Sequence, residues 1–173
     1  MLTWDEEVKP SSQNQLDGGL PNNSSNDPAI SADGRYIVFI STATNLVAGL
    51  TVTGQQIYRT DRQTGATVLV SAAPDGSGAN QPCYFPSISR DGRFVAFAGP
   101  ASNLTTGIAS GNTINQIFLR DMNSSTVTLV SKNAEGIVGD DEAVIYGSPP
   151  KISSDGRYVL FTSKAQNLLA DNS

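Results

Sequence analysis

One twelve-residue pattern occurs three times in this chain and restricts the fold more than any other feature. Pro28–Phe39 (PAISADGRYIVF), Pro86–Phe97 (PSISRDGRFVAF) and Pro150–Phe161 (PKISSDGRYVLF) align without gaps, with their aspartates Asp33, Asp91 and Asp155 at offsets of 58 and 64 residues. Twelve residues after each aspartate stands an Asn-Leu pair: Asn45-Leu46, Asn103-Leu104 and Asn167-Leu168. Gln56–Asp61 (QIYRTD) matches Gln116–Asp121 (QIFLRD), and Val68–Ser71 (VLVS) matches Thr128–Ser131 (TLVS). Several matched features in fixed order mark a repeat architecture, in which each unit buries its apolar faces only against its neighbours.

Each unit reads as β-structure. Pro28–Ser31 predicts a short strand opened by a proline, tolerated where no ladder N–H is required. Ala32-Asp33-Gly34 predicts a tight turn, because the aspartate can accept nearby backbone N–H groups and glycine takes positive φ without strain. Tyr36–Ile40 is an unbroken apolar run rich in β-branched and aromatic residues, the signature of a strand buried on both faces. A polar loop over Asn45–Gly54, a third strand over Gln56–Asp61, a turn at Gln63-Thr64-Gly65 and a fourth strand over Ala66–Ser71 complete the unit. A sandwich would expose one face of each strand and show cleaner alternation. Small four-stranded sheets stacked face to face fit instead, which is the blade of a β-propeller. The predicted fold class is all-β, an incomplete β-propeller with two full four-stranded antiparallel blades plus part of a third. Its expected divisions are an N-terminal segment over 1–27 with an outer strand near Leu2–Val8, blade one with its connection over 28–85, blade two over 86–149, and the first half of blade three over 150–173.

The S-x-D-G-R-[YF]-[IV]-x-F segment after its P-x-I-S lead resembles the TolB-type, WD40-like propeller repeat of bacterial proteins, over residues 28–163. That resemblance implies a periplasmic or secreted setting and a scaffold role. Met1–Glu7 (MLTWDEE) has neither the basic nor the apolar region of a signal peptide, so none is expected within this chain.

Composition removes several function classes. The chain carries 11 Lys+Arg against 16 Asp+Glu, a net charge of −5, so its surface repels phosphate backbones and nucleic acid is not an expected partner. No apolar run approaches the ~18 residues of a membrane-spanning helix, so membrane insertion is not expected. Histidine is absent, which excludes Ser-His-Asp and Cys-His catalysis from these residues. Cys83 is the only cysteine; it permits no intrachain disulfide and reads as a small packed residue. Ser148-Pro149-Pro150-Lys151 matches S-x-x-K in form, but its prolines forbid the helical turn that would bring amine to hydroxyl. Four Asn-x-Ser/Thr sequons, at Asn22, Asn23, Asn103 and Asn123, are what so Asn- and Ser-rich a chain produces by chance.

No catalytic residue is assigned. Asp33-Gly34-Arg35, Asp91-Gly92-Arg93 and Asp155-Gly156-Arg157 read as structural turn residues, recurring because the fold needs the turn each time, with the arginines reaching neighbouring turns or carboxylates. Asp140-Asp141-Glu142 is the densest acidic cluster and reads first as a solvated loop. Asp140, Asp141 and Asp171 are the candidate ligands should calcium bind; a hard cation wants ~6–8 oxygens, and no other cofactor is expected. Tyr36, Phe39, Phe94, Phe97, Tyr158 and Phe161 are expected in the core, and Tyr84 and Phe85 nearer the surface.

The expected function is a non-catalytic interaction or scaffold module that binds protein, peptide or glycan through the loops at the blade edges. The alternatives are the propeller portion of a larger enzyme (a serine peptidase, hydrolase or lyase) and a calcium-stabilised lectin-like module. Propeller rings close with ~4–8 blades. Two and a half therefore imply missing blades of a longer chain, or copies that meet head to tail as a homo-oligomer.

Overall fold

The computed structural model describes residues 20–144 and 147–169. Every element in them is a strand. The first sheet contains β1 (Ser25–Ile30), β2 (Tyr36–Ser41), β3 (Gln56–Asp61) and β4 (Thr67–Leu69), hydrogen-bonded in that order and antiparallel throughout. The second repeats it with β5 (Tyr84–Ile88), β6 (Phe94–Gly99), β7 (Gln116–Asp121) and β8 (Thr126–Leu129). A third begins with β9 (Lys151–Ile152) and β10 (Val159–Leu160). The fold is an all-β stack of two four-stranded blades and part of a third. The outer strand expected near Leu2–Val8 and the candidate ligand Asp171 lie outside the described residues.

The first strand of each full blade starts earlier than its proline suggests. Pro28 and Pro86 lie inside β1 and β5, at the points where the register shifts, between Asn26 and Ala29 and between Tyr84 and Ser87. The residues just before them, Asp27 and Phe85, take positive φ of 49° and 55°. A bulge suits proline because the ladder is already broken there and no N–H is missed. The fourth strand is shorter than Ala66–Ser71 and keeps only Thr67–Leu69.

Neighbouring blades meet through alternate residues of their second strands. Val38 and Ile40 of β2 share one core with Val95 and Phe97 of β6. The opposite face of β2 places Phe39 with Tyr58, Leu46 and Leu69. On the far side of blade two, Ala98 and Ile117 pack with Val159 and Phe161 of blade three. Within each full blade an aromatic pair sits across the central ladder: Phe39–Tyr58 at 5.9 Å and Phe97–Phe118 at 5.5 Å between ring centres. Such cross-strand pairs contribute roughly 0.5–1.5 kcal/mol beyond their area. The loop after each second strand is less polar than its composition suggests, since Leu46 and Leu104 return to the core. Tyr84 and Phe85 are half-buried on β5.

Of the six aromatic residues expected in the core, Phe39 and Phe97 are buried, Tyr36 and Phe94 are only half-buried because they lie beside the turns at the end of the stack, and the two of blade three differ from their counterparts. Phe161 is only half-buried, and Tyr158 is 66% exposed. Their sequences match those of blades one and two. What differs is that, among the described residues, no further blade lies against the face that Tyr158 presents.

Candidate functional site

The S-x-D-G-R turns lie side by side at one end of the stack. Each is closed the same way. Asp33 Oδ1 accepts from Ser31 Oγ at 2.6 Å and from the Arg35 N–H at 3.0 Å. Asp91 does so from Ser89 and Arg93 at 2.7 and 3.0 Å, and Asp155 from Ser153 and Arg157 at 2.6 and 3.1 Å. These bonds, led by the serine hydroxyl, hold all three carboxyls below the usual carboxylate range. Each serine oxygen also accepts a backbone N–H, from Tyr36, Phe94 or Tyr158, at 2.9–3.0 Å. Gly34, Gly92 and Gly156 take φ of 72–73°, which the turn requires.

The arginines of blades one and two reach down their own sheets. Arg35 forms a forked ion pair with Asp61 at 2.7 Å, and Arg93 one with Asp121 at 2.8 Å, which lowers both acceptor carboxyls. Arg157 lacks an acid partner among the described residues; its guanidinium stands 5.6 Å from the Tyr158 ring centre.

The turns are also linked from blade to blade. The Ala32 N–H donates to Arg90 O at 3.0 Å, and the Arg90 N–H donates to Ser154 O at 3.1 Å. Side-chain packing follows the same step. A Cβ on Gly92 would overlap the Tyr36 ring, and one on Gly156 would overlap Phe94. Arg59 lies over Tyr36 at 4.3 Å from its ring centre and donates to Gly92 O at 2.7 Å.

A shallow depression of about 480 Å³ runs across this end, lined by Ala32, Asp33, Arg90, Asp91, Ser154 and Asp155. It offers exposed carboxylate edges and one guanidinium to a polar ligand. A second cavity, about 340 Å³, lies at the outer rim between blades one and two and includes Arg120, whose Nη1 donates to Ala72 O at 3.1 Å.

At the opposite end the connection into each unit is fastened by an amide. Asn45 Oδ1 accepts the Asn22 N–H while its Nδ2 donates to Leu20 O. Asn103 accepts from Asn80 and donates to Gly78 O, and Asn167 accepts from Asp140 and donates to Val138 O. The fastening is reciprocal: Asn22, Asn80 and Asp140 return a side-chain oxygen to the N–H of Thr44, Ser102 and Gln166. Asp140 is therefore the third member of a clamp. Asp141 caps the Glu142 N–H, and Glu142 Oε2 accepts from the Asn115 N–H at 3.1 Å. No group of three or more His, Cys, Asp or Glu side chains converges on a metal-sized space among the described residues.

Sequence reasoning missed these clamps, although the repeated Asn-Leu pairs were their visible signal. It also missed a buried network: Ser71 Oγ donates to Gln56 Oε1 at 2.7 Å, and Gln56 Nε2 donates to Ala79 O; Ser131, Gln116 and Gly139 repeat it.

No family model matches the sequence, and no curated protein matches it. Solved structures do. The β-propeller domain of the Trilobed protease from Pyrococcus furiosus superposes with a TM-score of 0.52 at 15% identity, covering 82% of this chain and 34% of that one. The tricorn protease (TM-score 0.48, 16% identity, 86% and 11% covered) and TolB from Acinetobacter baumannii (0.42, 18%, 83% and 39%) are also similar. This chain thus spans about a third of the length of the Pyrococcus propeller domain. The stacked antiparallel blades and that superposition together identify the fold as a β-propeller, of which the described residues form two blades and the start of a third.

Proposed function

We propose that this chain is a non-catalytic propeller module of the TolB type, working in a periplasmic or secreted setting and binding a protein, peptide or glycan through its blade-edge loops. The observation that carries this reading is the state of the repeated turns. Each Ser-Asp pair looks at first like the start of a catalytic constellation. Yet each serine hydroxyl donates to its aspartate and accepts a main-chain N–H, so neither group is poised toward a substrate. What remains accessible is a polar, hydroxyl- and amide-rich surface, which suits hydrogen-bonded recognition. Binding of the purified chain to glycan and peptide arrays tests the reading. A saturable ligand whose affinity falls when Arg90, an exposed residue lining the depression, is replaced supports it. Turnover of a peptide, ester or polyuronate substrate by the chain alone would overturn it.

A second reading has its own support. The chain covers only a third of the protease propeller domain that it resembles, which fits the propeller portion of a larger enzyme. A coding sequence continuing into an α/β-hydrolase region with G-x-S-x-G and a histidine would favour that reading. A calcium-stabilised lectin-like module is tested by melting in Ca²⁺ and in EDTA; equal melting temperatures remove it.

A further inference from the structure

Blade two departs from the repeat at one buried position. The match of Gln116–Asp121 to Gln56–Asp61 sets Arg120 where blade one has Thr60. In blade one, Thr60 faces Thr67 across the ladder and the two hydroxyls bond at 2.7 Å, so the position closes on itself. In blade two the facing residue is Val127, whose side chain offers a guanidinium no acceptor. The repeat is therefore built without a cation at this point, and Arg120 is not explained by the scaffold.

The charge is poorly compensated where it stands. Arg120 is only 8% exposed, and burial pushes its pKa down. Its Nη1 donates to Ala72 O at 3.1 Å, while its buried Nε has no partner among the described residues. Neither of the acids near it in the fold is free to pair. Asp121, next in the chain, is held by Arg93, and Asp75, beside the cavity-lining Pro74, accepts from the Ser77 N–H and hydroxyl. Other guanidiniums are better placed: Arg35 and Arg93 have carboxylates, and Arg59 lies over the Tyr36 ring. A buried cation without a counter-ion is strongly disfavoured, and a bound anion removes that penalty.

Arg120 lines the 340 Å³ cavity at the outer rim, and the other walls are of two kinds. Pro74, Leu104 and Val127 supply aliphatic surface, and Thr105 and Thr106 supply hydroxyls that can donate. The cavity has no acidic lining residue. One guanidinium balances one negative charge, and its planar donors match a carboxylate. A phosphate dianion would leave a charge over, on a chain whose net charge is already −5. The aliphatic walls ask for an apolar body behind the charged group.

We propose that this cavity binds an aliphatic carboxylate, free or at the end of a peptide chain, with Arg120 as its counter-ion. The site shares no lining residue with the depression at the turns, so the two are tested separately.

The test is titration calorimetry of the purified chain with 4-methylpentanoate, with N-acetylglycylleucine and with the amide of each. At least one acid is expected to saturate one site, with its amide about tenfold weaker or more, because the amide cannot form the charge-assisted bond. The tighter acid tells the free source from the chain end. R120T gives blade two the residue that blade one uses and should weaken acid binding by about tenfold or more; circular dichroism verifies its fold. T106D alters an exposed residue at the rim and so keeps the proposal testable if R120T does not fold. Its added negative charge should weaken acid binding several-fold at low salt and less at high salt. The proposal is overturned if neither acid binds, if acid and amide bind alike, or if folded R120T or T106D binds the acid as the wild type does. Inorganic phosphate that displaces the acid at equal concentration overturns the choice of a carboxylate.

Discussion

Blades one and three carry nearly the same second-strand sequence, GRYIVF and GRYVLF, and sit in opposite environments. In blade one the tyrosine lies between Arg59 and the Gly92 of the next turn, and Val38 is fully buried. In blade three the matching Tyr158 and Leu160 are exposed. The local turn is identical in both, down to the hydroxyl and N–H on the aspartate. A propeller repeat thus encodes its turn by itself, but obtains its burial from the unit that follows.

Substitutions in the junctions test this contrast most sharply. Phe97→Ala, in the shared core of blades one and two, is expected to cost about 3–5 kcal/mol, read from the urea midpoint. Gly92→Ala comes next. It combines the positive-φ penalty with a clash against the Tyr36 ring and should cost about 2–4 kcal/mol. Gly34→Ala has nearly the same φ, 72° against 73°, but its Cβ would meet nothing nearer than 3.9 Å, so only the backbone penalty of about 1–2 kcal/mol remains. Equal losses at Gly34 and Gly92 would show that ring packing adds nothing to the junction.

Acid should act on the turns and ion pairs together. The folded chain holds the carboxyls of Asp33, Asp61, Asp91, Asp121 and Asp155 below their unfolded value of ~3.9. The unfolded chain therefore binds more protons in that range. The stability these groups contribute is fully present above about pH 4–5 and is lost as pH falls through the folded values. Unfolding midpoints measured from neutral pH down to about pH 2 should fall steadily, and less steeply in Asp121→Asn. The smallest effect belongs to the arginines. Arg93→Ala loses a half-exposed, solvent-screened ion pair and should lower the urea midpoint only slightly, whereas Arg157→Ala should leave it unchanged.

Much of this architecture could be read from the residues. The D-G-R turn, the doubly buried second strand and the third strand at Gln56–Asp61 each follow from local chemistry that a single unit contains. The features that escaped are those decided between units. Nothing in Asp27 or Phe85 announces a positive φ; the bulge arises from fitting the first strand beside its neighbours. Asp140 looks like part of an acidic loop because its partner Asn167 stands 27 residues away. Tyr158 looks like core because the sequence of a repeat does not state whether another repeat lies beyond it.

The reciprocal asparagine clamp has a consequence for how such units diversify. Asn103 and Asn80 fix where the loop leaves its sheet, and Gln116 fixes where the chain returns. The stretch between, residues 105–114, is mostly open to solvent, with glycines at Gly107 and Gly111. Both anchors are independent of its length. A new sequence spliced between them leaves the scaffold in place provided it spares Ile108, which packs on the core, and Asn112, which donates to Pro100 O, so this span is the natural place to graft a recognition loop.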